Sequence, residues 1–91
     1  MSARSHLPGS DLVERGIADL ERGDVTVEAL LVSIAAPRLG SLGFMLTDPI
    51  PSPEHRLYAL LASADSDSAH SRYNALVRRL VSFERAAECA S

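Results

Sequence analysis

The chain has no lysine, no glutamine and no tryptophan, and it holds one cysteine, Cys89, in 91 residues. Without lysine there is no side-chain amine to form a Schiff base. All nine basic residues are arginines, whose planar forks suit carboxylate or phosphate. A lone cysteine closes no internal disulfide, so the fold does not rest on oxidation and a reducing cytoplasm is the expected compartment. No run approaches the roughly 18 uninterrupted apolar residues of a membrane span. The first residues, Met1 to His6, lack the apolar core of a secretory signal. The net charge of −3 gives no overall pull toward nucleic acid or anionic membrane.

What is present describes one small domain. Hydrophobic residues make up 46% and charged residues 23%, ordinary globular usage that argues against disorder. A chain of this length buries only about two-thirds of the surface that its unfolded form exposes, so stability is thin unless association adds to it.

Residues 1–9 carry Pro8-Gly9 and no periodicity, which predicts a flexible amino-terminal arm ahead of a single helical domain over 10–91. Asp11 and Glu14 have capping-box spacing for a first helix. Leu12, Val13, Ile17 and Leu20 form its apolar face and Gly23 its stop. Thr26 caps a second helix in which Val27, Leu30, Leu31, Val32, Ile34 and Ala35 are apolar almost all round, the pattern of a buried central helix. Pro37 ends or kinks it and opens a short continuation through Leu39 and Leu42. Phe44, Met45 and Leu46 are then expected to return to the core. Pro49, Pro51 and Pro53 mark an extended connection, and Ser52 with Pro53 reads as a helix cap and first residue. Leu57, Tyr58, Leu60, Leu61 and Ala64 supply the apolar face of the third main helix, and Asp65 or Asp67 caps the last.

That last helix, about 68–89, carries Ala69, Tyr73, Leu76, Leu80, Phe83, Ala87 and Ala90 in alternating steps of four and three. This is a narrow heptad-like seam, thickened by Val77 and Val81. Tyr73, Leu76, Leu80 and Phe83 form its centre, and the seam serves packing within one chain or between two copies. The expected fold is therefore all-α: a compact bundle of four main helices, with a long C-terminal helix and helix two at the centre.

From Ser68 to Ser91 four arginines stand against two glutamates, whereas five arginines stand against ten acids in the rest. Arg72 and Arg79 are seven apart, as are Arg78 and Arg85, so each pair shares one side of the helix. These four residues are the candidate interaction face, for an acidic protein or a phosphate backbone. The plain alternative is a solvated face whose arginines pair with Glu84, Glu88 and the acidic first helix.

Compact catalytic signatures are missing. Asp67 and His70 have i, i+3 spacing, but capping explains both, and no third ligand stands at metal-motif distance. Glu54 and His55 are adjacent and diverge on a helix, and His6 lies in the arm. Gly40-Ser41-Leu42-Gly43 superficially resembles a nucleophile elbow or a phosphate clamp. It has neither the preceding strand nor a basic residue, and reads as a glycine-stopped turn. Cys89 sits near a helix end, where the dipole disfavours a thiolate. Asp19, Glu21, Asp24 and Glu28 read as a solvated acidic corner. No nucleotide loop is present, and no metal or cofactor is expected.

The sequence thus points to a non-catalytic helical interaction or self-association module, acting as a homodimer or on another protein and not on a membrane. The alternative is a nucleic-acid-associated regulator that uses the arginine face.

Overall fold

A computed structural model describes residues 7–90, and the first six residues of the arm, His6 included, lie outside it. Five helices follow in order: α1 (Ser10–Arg22), α2 (Val27–Ile34), α3 (Ala36–Ser41), α4 (Pro53–Ala64) and α5 (Ala69–Ala90). There is no strand among the described residues. The all-α architecture is as expected, with α3 as the short continuation that Pro37 opens from its first turn.

The start of α1 departs from the capping-box expectation. Gly9, not Asp11, precedes the helix, in a left-handed conformation (φ 79°) and without a side-chain cap. Packing explains the choice. A Cβ at Gly9 would stand 3.0 Å from the Arg79 carbonyl oxygen and 3.5 Å from Phe83 Cβ, so this end of α1 is pressed onto α5. Leu7 packs against the core, and its carbonyl accepts from the Ser10 amide at 3.1 Å. At the other end Gly23 stops the helix, as its position predicts. Its amide and that of Asp24 reach back to the Leu20 and Asp19 carbonyls, which satisfies the end of the helix.

The α1–α2 hairpin is the tightest part of the molecule. Gly16 lies so close to α2 that a Cβ there would meet the Glu28 carbonyl oxygen at 2.4 Å and Val32 Cγ1 at 2.7 Å. Thr26 caps α2 by accepting from the Ala29 amide at 3.1 Å. Its hydroxyl donates at 2.6 Å to Asp19, which is buried and also holds Arg22. Asp19 therefore leaves the solvated corner expected of it. A carboxylate at the joint of two closely packed helices is covered by both, and its two partners satisfy it.

α2 is the central element. Ala29, Leu30, Leu31, Val32 and Ser33 are buried in succession, covered by α1 on one side and α4 on another, with α5 across. The buried Ser33 is satisfied twice: its hydroxyl donates to the Ala29 carbonyl at 2.8 Å and accepts from the Ile50 amide at 3.0 Å. That second bond ties the proline-rich connection to the central helix.

Between α3 and α4, Phe44 and Leu46 pack on the core while Met45 is 88% exposed, contrary to the expected run of three. The segment is non-helical, so neighbouring side chains point to opposite sides. Phe44 meets Phe83 with ring centroids 5.6 Å apart. Pro53 opens α4 as expected, but Ser52 is left-handed (φ 50°) and its hydroxyl caps nothing; its carbonyl accepts from the Arg56 amide instead.

α4 buries only Leu57 and Leu61. Tyr58 and Leu60 are 40% and 39% exposed, and Ala64 is exposed, so the broad apolar face expected of this helix reduces to a narrow one. The helix lies at the edge of the bundle against α2 and α5, which cover one stripe of it. In the following turn the Asp65 carboxylate accepts from the Asp67 amide at 3.1 Å, so it shapes the turn and does not cap α5. Along α5 the heptad seam faces the core of the chain. Ala69, Leu80, Phe83 and Ala87 are buried, and Tyr73, Leu76 and Val77 pack half-buried beside them.

Candidate interaction surfaces

Arg72, Arg78, Arg79 and Arg85 are all exposed, and they fall on two sides of α5. Arg72 and Arg79 border the core side. With Val27, Glu28, Ala75 and Leu76 they line a groove of about 470 Å³ between α5 and the start of α2. The Arg79 guanidinium stands 3.6 Å from Asp11, and Glu28 lies in the same groove. Arg78 and Arg85 lie roughly 100–120° further round the helix, at about 100° per residue, and face away from this groove. Neither forms an ion pair among the described residues. The arginines are thus available to solvent, but one pair already shares its space with carboxylates.

On the third side of α5, Glu88 pairs with Arg38, which links α5 to α3. Glu84 stands nearby, half-buried. Burial pushes its carboxyl above the ordinary value; Arg38 offsets part of this, and Glu88 adds to it.

A second groove, of about 320 Å³, lies across α2 from the first. Val25, Leu30, Arg56, Ala59 and Leu60 line it. Its floor is the buried Leu30 and its rim the exposed Val25 and Leu60. On the other flank of α4 the Tyr58 and Tyr73 rings meet at 5.9 Å, between α4 and α5. Sequence reasoning did not single out this groove. The available signal was a surplus: α4 holds more large apolar residues than one stripe facing the core can use, and Val25 stands just outside the Thr26 cap.

The other candidate residues find local roles. His70 pairs with Asn74 one turn on, at 3.2 Å, and not with Asp67. No group of three His, Cys, Asp or Glu side chains is placed to hold a metal among the described residues. Gly40 to Gly43 is a turn closed by a bond from the Gly43 amide to the Gly40 carbonyl, with the Ser41 hydroxyl donating to Pro37. Cys89 is exposed. Of the acidic corner only Asp19 is buried, so two carboxylates do not share a site there. No helix is long and apolar enough to cross a membrane among the described residues. Compared with protein-family models, curated proteins and solved structures, the chain matches none.

Proposed function

We propose that this chain is a protein–protein interaction module that works by self-association, binding its partner without transforming it. The observation that carries this reading is the apolar surface on the α4 side. Val25 at 52% and Leu60 at 39% exposure flank a groove with a leucine floor, while most of the heptad seam of α5 faces the chain's own core. Scattered exposed apolar residues are normal; two that share a groove are an available contact. The small size of the domain adds to the argument, since association supplies buried area that a chain this short lacks.

The second reading, a nucleic-acid-associated module, draws on Arg78 and Arg85, which face solvent. The carboxylates beside Arg72 and Arg79 weigh against one continuous strip for phosphates. Size-exclusion chromatography with light scattering and absorbance at 260 and 280 nm separates the two. A mass that rises toward a dimer with concentration, under a protein-like spectrum, is the expected result. A monomer at every concentration overturns the self-association reading. A peak rich in 260 nm absorbance that strong salt removes transfers the weight to the arginines, because binding to phosphates releases counterions.

A further inference from the structure

We propose that the occupant of the α4 groove is a second copy of this chain, bound as a two-fold dimer in which the α4 helices pair antiparallel; this rests on the self-association reading above. The outward stripe of α4 consists of Arg56, Ala59, Leu60 and Ser63, linked by steps of three and four (56 to 59 and 60, both to 63), so all four lie on one side of the helix. Leu60 stands out from that stripe and the groove opens beside it. In an antiparallel pair centred near Leu60, each copy's leucine enters the other's groove, between Val25 and Ala59 and over Leu30. Ala59 and Ser63 are small enough for close approach of the two helices. The Ser63 hydroxyl is already spent on the Leu60 carbonyl at 2.7 Å, so covering it strands no donor.

Charge favours this orientation. Arg56 lies about one turn from the amino end of α4, the wrong end for a cation in the field of its own helix. It forms no ion pair with any described residue. At the opposite end of α4 stand the exposed Asp65 and Asp67, next to the helix's own negative end. An antiparallel partner brings Arg56 of each copy beside the Ala64–Asp65 end of the other, so both cations meet both a helix C-terminus and a pair of carboxylates. Glu54, the other charge in the first turn, lies roughly 160° round the helix from Arg56 and stays out of the contact. A parallel pair would set arginine against arginine. The surface is thus self-complementary, as a two-fold interface requires.

A contact built on one 12-residue helix falls at the small end of specific interfaces, so the dimer is weak and concentration-dependent, with Kd on the order of 10 µM to 1 mM. Sedimentation equilibrium across that range tests it, with far-UV circular dichroism confirming that each variant is folded. Leu60→Glu is expected to weaken association at least tenfold without unfolding the chain, because Leu60 is exposed in the monomer. Arg56→Asp is expected to weaken it several-fold while leaving the melting temperature unchanged or higher, since an acid suits the first turn. Combining Arg56→Asp with Asp67→Arg is expected to restore most of the loss. A dimer as tight in Leu60→Glu as in the natural sequence overturns the α4 pairing but leaves self-association standing, on another face. A natural sequence that stays monomeric across the range overturns both.

Discussion

The α1–α2 hairpin and α4 pack against each other through α2 and use their sequences differently. In the hairpin almost every position has an internal duty. Gly16 allows the backbones to touch, Gly23 ends one helix, Thr26 starts the next, and the buried Asp19 holds the joint. α4 begins at an uncapped, left-handed Ser52 and commits two leucines to the core. The two regions thus differ in what their apolar residues are for: apart from Val25 in the connecting turn, the large apolar residues of the hairpin are wholly or partly covered, while half of those in α4 remain at the surface.

The sharpest way to test this contrast is to truncate a leucine in each region. Leu31→Ala, at a fully buried position of α2, is expected to cost about 2–5 kcal/mol, enough to bring a small domain near its unfolding limit. Leu60→Ala is expected to stay within about 1 kcal/mol. Denaturant titrations of the two variants at low protein concentration give the comparison, and equal costs would erase it. Gly16→Ala comes next. Alanine normally favours a helix interior, yet here its Cβ runs into backbone that cannot swing aside, so a loss of about 1–3 kcal/mol is expected; a gain would mean that the helices can separate freely.

Helix caps give a finer version of the same contrast. Thr26→Ala removes both the cap of α2 and a partner of buried Asp19, and is expected to cost about 1–2 kcal/mol. Ser52→Ala removes no cap and is expected to change stability by less than about 0.5 kcal/mol. Thermal melts of both show whether local cap geometry, and not the residue type, sets the cost. The smallest effect belongs to Glu84. Its carboxyl is raised in the fold, so its protonated form is favoured there, and its contribution is full at low pH and lost as pH rises through the folded carboxyl's range. Glu84→Gln is therefore expected to match the natural sequence below about pH 4 and to melt slightly higher at pH 7. The reverse order at pH 7 would mean that the attraction to Arg38 outweighs the burial.

Much of the fold was legible because its signals are local. The Thr26 cap, the Gly23 stop, the all-round apolar run of α2 and the four-three spacing of α5 each act within a turn or two of chain, and each appears in place. Where reading failed, the deciding neighbour was distant in sequence. Asp11 lost its capping role because Gly9 meets Arg79 and Phe83, residues of the last helix. Asp19 is buried because a second helix covers it, and Tyr58 and Leu60 stay exposed because no third helix does. The candidate interface was hardest of all to see. An exposed leucine and a buried one look identical in a helical pattern, and only the placement of α2 and α5 divides the apolar residues of α4 into those that fold the chain and those left at the surface.

The hydroxyl of Ser33 has a consequence for motion. The Ile50 amide donates into it at a buried site on the central helix, so the proline-rich connection is anchored in the least accessible part of the molecule. Hydrogen exchange at Ile50 is then expected to be slower than at the exposed amides of the same connection, because the connection must lift off α2 before its proton is released. One backbone proton in an irregular segment thus reports how firmly that segment is held to the core.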